Sequence, residues 1–162
     1  MPTLASETRC QHTTLVVTSR LPTEFLDLTD RIRSAIAGLG LHQGLVNVQS
    51  LHTTAAIVVN EHEPLLLGDF LSFLERAAPR WATYRHDDMV ARTVNVAPGE
   101  RPNGHAHCQA LVLPASVCLN VSGGALCLGR WQRVFLVELD GPRPREVSLM
   151  AMGMFEDQRG GR

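Results

Sequence analysis

At 162 residues and a formal net charge of −1, the chain is long enough for one sizeable core and carries no charge excess that would draw it to nucleic acid or an anionic membrane. Hydrophobic residues make up 44% and charged residues 19%, a balance that excludes a disordered chain. All 15 basic residues are arginine, which excludes Schiff-base, P-loop and lysine-base chemistry, so any anion must be held by Arg, His or backbone N–H groups.

In chain order, residues 10–19 are β-branched and partly alternating, the pattern of a strand. Leu21-Pro22 punctuates it, and Thr23 is placed to cap a helix whose apolar residues Phe25, Leu28, Ile32, Ala35, Ile36 and Leu39 recur at helical spacing. Gly38 and Gly40 end that helix. Residues 45–51 and 55–60 read as two strands around a turn or bulge at His52-Thr53-Thr54. Glu63-Pro64 opens a second helix with proline at the favoured first position, a buried stripe of Leu66, Phe70, Phe73, Leu74 and Ala77, and Pro79 as its stop.

Residues 80–102 are polar and weakly periodic, a length that inside a compact domain points to function or an interface; a short strand is expected at 92–96. Residues 104–112 fit a short helix or a strand, 116–132 a hairpin turning at Ser122-Gly123-Gly124. Strands follow at 133–140 and 146–152, turned by Gly141-Pro142, and residues 157–162 read as a frayed end. The order of elements predicts one α+β domain over the whole chain, a largely antiparallel sheet or sandwich with two to three helices. Apolar runs are too short to span a bilayer and no signal-peptide core is visible, so a cytoplasmic protein is expected. Cys10, Cys108, Cys118 and Cys127 form no CxxC pair; three lie among apolar residues and read as small core fillers that stay reduced.

The chemistry-bearing residues concentrate in 103–132. His105 and His107 share one face if they lie on a strand, as a metal site needs, and lie about 200° apart if they lie on a helix. His86-Asp87-Asp88 adds an imidazole and two carboxylates, or is a solvated turn. His52 with Thr53 is either a general base beside an anion-holding hydroxyl or a hydrogen-bonded edge histidine. Asn60 and Glu61 close a strand, where Glu61 or Glu63 also serves as a helix cap. Asp69 reads as surface, and Trp131 as core or interface.

Several of these segments together resemble the YjbQ family, known as uncharacterised proteins or secondary thiamine-phosphate synthases. They are His52-Thr-Thr-Ala-Ala-Ile-Val-Val-Asn60-Glu61, Glu63-Pro64 with Asp69, Tyr84-Arg-His86-Asp87-Asp88, Asn103-Gly-His105-Ala-His107, Leu113-Pro-Ala-Ser116, and Gly124 to Gly129-Arg130-Trp131-Gln132. They are collinear over about residues 10–153. The resemblance implies a homotrimer with the motif residues at a cleft near the subunit interface. It also implies weak synthase activity, in which hydroxymethylpyrimidine diphosphate joins a thiazole phosphate and diphosphate leaves, usually with Mg²⁺.

The resemblance points to His52, Glu61 and Asp69 as catalytic and to His86, His105 and His107 as metal-facing. Thr53, Asn60, Ser116, Arg130, Trp131 and Gln132 are the expected substrate contacts, with Arg130 standing where the family often has Thr. In the synthase reading Mg²⁺ takes carboxylates from Asp69, Glu61 or Asp87, while His52 and His105 contact phosphate. A metal-dependent hydrolase is the alternative, with Zn²⁺ or another transition metal on the three histidines and Glu61 activating water. A non-enzymatic trimer that binds a phosphorylated small molecule is the third.

Overall fold

The computed structural model describes residues 8–156. Its elements are β1 (Arg9–Thr18), β2 (Glu24–Asp27), α1 (Thr29–Leu39), β3 (Leu41–Ser50), β4 (Ala55–Glu61), α2 (Pro64–Ala77), a 3-10 turn (Arg85–Asp87), α3 (Gly104–Leu111), β5 (Ser116–Ser122), β6 (Ala125–Leu126), β7 (Gln132–Glu138) and β8 (Pro144–Phe155). They make an α+β fold of two antiparallel sheets, one ordered β1-β8-β3-β5-β6 and one β2-β7-β4.

The strand patterns explain the layers. Along β8 buried and outward residues alternate, because only one face of the large sheet is covered. Its inner residues Val147, Leu149 and Ala151, with Val46 and Val48 of β3, meet Ile57, Val134 and Leu136 of the small sheet, and Ile32 and Ile36 of α1 close the same core. The other face of the small sheet packs Ala56 and Val137 against Leu74 of α2 and Ala106 of α3. Strand β7 is therefore covered on both sides, and Val134-Phe-Leu-Val137 is apolar without alternation for that reason. Helix α2 starts as its sequence dictates: the Glu63 carboxylate accepts the N–H groups of Leu65 and Leu66 at 2.9 and 2.7 Å, with Pro64 following.

Four expectations need correction. The helix expected from Thr23 begins at Thr29, because residues 24–27 pair with β7 from Glu24↔Glu138 to Asp27↔Phe135, a ladder that a helix would forfeit. Asp27 then accepts the Thr29 N–H at 2.9 Å. Burial would raise its carboxyl, but Thr29 and Arg133 outweigh this and hold it at about 2. No strand forms at 92–96, where Arg92 donates to the carbonyls of Val94 and Asn95 and to both oxygens of Glu100, curling the segment on itself. Phe73 and Ala77 face outward, and Leu74 is the buried residue of α2. All four cysteines are exposed free thiols; Cys118 occupies an outward position in the alternation of β5. The expected fraying at 157–162 lies outside the described residues. Among the described residues no helix is long and apolar enough to cross a membrane.

Candidate functional site

Antiparallel pairing brings the β3–β4 turn beside the start of β8, and the 85–103 segment folds over both. The result is a cavity of about 670 Å³ lined by His52, Thr53, His86, His107, Glu100 and Asn103, with Arg92, Arg101, Arg143 and Arg145 around them. Buried carboxylates hold three of these arginines. Glu138, fully buried, accepts Arg145 Nε at 2.7 Å, the Ser19 hydroxyl at 2.9 Å and the N–H groups of Leu139 and Asp140. Arg145 Nη2 donates in turn to the Thr54 hydroxyl at 3.0 Å. Asp140 pairs with Arg143 at 2.8 Å and Arg101 at 3.5 Å and accepts the Asn103 amide at 3.1 Å. Arg92 is held by Glu100 at 2.7 Å. The guanidinium groups are thus fixed before any ligand arrives, the arrangement that costs least on binding an anion.

Helix α3 starts where Asp87 Oδ1 accepts the N–H groups of Asn103 and Gly104 at 2.9 and 2.8 Å. A β-carbon on Gly104 would lie 2.4 Å from Tyr84 Cβ, so glycine is required for the helix to meet the 3-10 turn this closely. That contact places the His107 ring 4.6 Å from the His86 ring, in an edge-on arrangement. Burial, then the neighbouring His86, hold His107 below the ordinary imidazole value of 6.5. Burial, then Arg145, do the same for His52.

His52 Nε2 accepts the Glu146 N–H at 2.7 Å. Its lone pair is therefore engaged, and the neutral ring carries its proton on Nδ1. The free Nδ1–H is then a donor, and the lone pair that a general base needs is already engaged. Asn103, 7% exposed, has its amide nitrogen committed to Asp140, while its Oδ1 has no partner. Such a buried acceptor favours a ligand that offers an N–H or O–H.

His105 points away from the cavity, packing 6.5 Å from the Tyr84 ring, with burial and then Arg80 holding it below 6.5. In the folded chain it takes up its proton at lower pH than in the unfolded chain, which does so as pH falls through 6.5. Stability is therefore expected to fall between pH 7.5 and 5.5, and His105→Gln to flatten the decline by up to about 1.4 kcal/mol per pH unit. Urea denaturation across that range checks it; parallel curves for the variant and the parent overturn it.

The structure divides the expected site residues among several places. His52, Thr53, His86 and His107 share the cavity. Asn60 and Asp69 line a second cavity against α2. Glu61 pairs with Gln132 at the end of the small sheet, and the Gln132 side chain accepts the Gly129 N–H at 2.7 Å. Arg130 stacks 4.7 Å over the Trp131 ring, which is 61% exposed, and Ser116 begins β5 opposite Gln49. Because His105 and His107 lie on a helix, they cannot turn to one ion. Among the described residues no group of three or more His, Cys, Asp or Glu is arranged for a metal. Within one chain the three-histidine set does not fit a transition metal, and the carboxylates of Glu61, Asp69 and Asp87 stand on three different elements, β4, α2 and the 3-10 turn.

Sequence reasoning missed Arg92, Glu100, Asn103, Asp140, Arg143 and Arg145 as site-building residues. The absence of lysine left Arg, His or backbone N–H groups to hold any anion, but nothing local marked which arginines.

The profile of the UPF0047 protein YjbQ-like family matches residues 13–154. A UPF0047 protein of Archaeoglobus fulgidus is 38% identical over 129 residues, covering 80% of this chain and 91% of that protein. One of Methanothermobacter thermautotrophicus is 35% identical over 130 residues, covering 80% and 83%. Among solved structures, a protein of unknown function from Sulfolobus solfataricus superposes with a TM-score of 0.80 at 30% identity, covering 91% of this chain and 99% of that one. A hypothetical protein of Aeropyrum pernix superposes with a TM-score of 0.78 at 32% identity, covering 88% and 98%.

Proposed function

Because this chain belongs to the UPF0047 protein YjbQ-like family, we propose that its arginine- and histidine-lined cavity takes a phosphorylated small molecule and acts on it by proton transfer to a departing phosphate or diphosphate. One observation carries the reading: four arginines, each paired with a carboxylate, surround three histidines in one cavity of about 670 Å³. The volume lies in the range of small-molecule sites, roughly 300–1,000 Å³. Arg143 and Arg145 would hold the anion's charge, the His52 Nδ1–H would donate to a phosphate oxygen, and the His86–His107 pair would supply or take the proton.

The thiamine-phosphate synthase reaction is one chemistry of this kind. The bond from the pyrimidine methylene to diphosphate oxygen breaks, the methylene carbon bonds to the thiazole nitrogen, and diphosphate leaves. The reading includes assembly into a homotrimer, for which sedimentation would give three times the 17.8 kDa chain mass.

Calorimetry with hydroxymethylpyrimidine diphosphate and thiazole phosphate tests the site. Binding is expected, and Arg143→Gln should weaken it about tenfold, the loss of one charge-assisted contact. Failure of any phosphorylated pyrimidine or thiazole to bind at millimolar concentration overturns the reading. Synthase turnover should fall about 10²–10⁴-fold in His107→Ala; unchanged turnover would remove that reaction from this cavity.

A further inference from the structure

A second cavity, of about 470 Å³, opens between α2 and the small sheet and shares no residue with the arginine-lined one. Its walls are Phe25 of β2, Val58 of β4, and Phe70, Phe73 and Leu74 of α2. The Phe25 and Phe70 rings stand 5.7 Å apart at 41°, forming a bent aromatic wall, while Phe73 is 55% exposed at the rim. Apolar side chains left around a concavity this size are wetted at a cost that a flat aromatic ligand would remove.

Three polar groups, Asp69, Arg76 and Asn60, line the same space, and the helix sets the spacing of the first two. Asp69, Phe73 and Arg76 follow one another at four- and three-residue steps and so lie on one line along α2. At 1.5 Å per residue the carboxylate and the guanidinium are rooted about 10 Å apart along the axis. Among the described residues neither has a hydrogen bond or ion pair, although both line the cavity. Asn60 Oδ1 accepts the Glu61 N–H at 2.9 Å, which leaves the Asn60 amide N–H₂ as a free donor between the walls. A ring of phenylalanines with one unpaired anion and one unpaired cation two helical turns apart is complementary to a molecule with the opposite charges at its two ends.

We infer that this cavity is a binding site for a planar aromatic molecule carrying a protonated amine at one end and an acidic group at the other. The amine pairs with Asp69 and lies against the phenylalanine faces, where a cation is also favoured. The acidic group pairs with Arg76, and Asn60 donates to the ring's substituents or heteroatoms. This assigns Asp69 and Asn60 to ligand recognition in a cavity separate from the histidines, and it does not depend on the phosphate reading of the first cavity.

The test is calorimetry on the full chain with three probes: para-(aminoethyl)benzoate, phenethylamine, which lacks the acid, and para-ethylbenzoate, which lacks the amine. Para-(aminoethyl)benzoate should bind once per chain and most tightly. Asp69→Asn should weaken it and phenethylamine about tenfold and leave para-ethylbenzoate unchanged. Arg76→Gln should show the converse pattern. Both side chains are exposed and unpartnered, so unaltered thermal unfolding is expected of both variants and guards against misfolding as the cause. Absence of binding at millimolar concentration, or binding indifferent to both substitutions, overturns the proposal. So does binding lost in Arg143→Gln, which places the probe in the other cavity. A fall in particle mass in Phe73→Ser overturns it as well, since the groove would then be an interface between copies.

Discussion

Arg145→Met is expected to destabilise the protein by about 3–5 kcal/mol, the cost of leaving one member of a buried ion pair alone. Arg145 is 2% exposed and Glu138 is fully buried, and the two meet through Arg145 Nε and Glu138 Oε2 at 2.7 Å. In the native protein burial would raise the Glu138 carboxyl, but Arg145, the Asp140 N–H and the Ser19 hydroxyl together outweigh it and hold the group below its ordinary value of 4.5. A carboxyl lowered in this way contributes stability that is present above 4.5 and is lost as pH falls through the folded-state value.

Without Arg145 the sign reverses. The stranded carboxylate is raised by burial and is relieved by taking up a proton, so the deficit should be largest at neutral pH and should shrink toward pH 5. Urea denaturation at both pH values measures it, and a deficit under about 1 kcal/mol, or one independent of pH, sinks the argument. The double replacement Glu138→Leu with Arg145→Met should recover part of the loss, because no lone charge remains, while the Ser19 hydroxyl and the Leu139 and Asp140 N–H groups lose their acceptor. The Thr54 hydroxyl would still lose its donor, so the recovery should be partial.

Gly153→Ala should cost about 2–3 kcal/mol, in the range of enforced backbone strain. Gly44 and Gly153 face each other across the β3–β8 ladder with φ of 154° and 155°. A β-carbon on Gly153 would lie 2.1 Å from the Gln43 carbonyl oxygen and 2.8 Å from Gly44 Cα, and one on Gly44 would meet the Met152 oxygen at 2.1 Å. Nothing flexible can give way, because both obstacles are backbone, so the strands must separate and the ladder weakens. Gly68→Ala is the control. Gly68 sits in α2 with nothing within 4 Å of an added β-carbon, and the same change there should stabilise by up to about 1 kcal/mol. Equal effects at the two positions in denaturant titrations would rule out close approach as the cause.

The candidate site was half legible. His52, Thr53, His86 and His107 stood out as residue types in suggestive patterns, and the fold does bring them together. The HxH pattern misled because its meaning depends on the element that carries it. Asp87, reaching back from the 3-10 turn to the N–H groups of Asn103 and Gly104, makes that element a helix. His105 is then turned into the interior while His107 stays at the cavity. The arginines were unreadable for a different reason. Each takes its position from a carboxylate on another element, and a guanidinium in the sequence carries no mark of which carboxylate that is.

What the sequence determined by itself is the part of the structure that depends on near neighbours. Alternation in β8 and continuous apolarity in β7 follow from how many faces of each strand are covered, and Glu63-Pro64 starts α2 through bonds spanning three residues or fewer. The α+β class could be read from that alone. The pairing of β2 with β7 could not, and it overrode the helical spacing that began at Thr23. Tertiary structure alone decided the two cavities. The bond that sets the tautomer of His52 spans 94 residues, and the one from Asn103 to Asp140 spans 37. Partners that far apart meet only after the sheets have closed, so the roles of His52, Asn103 and the arginines are properties of the packed fold and of no local stretch of chain.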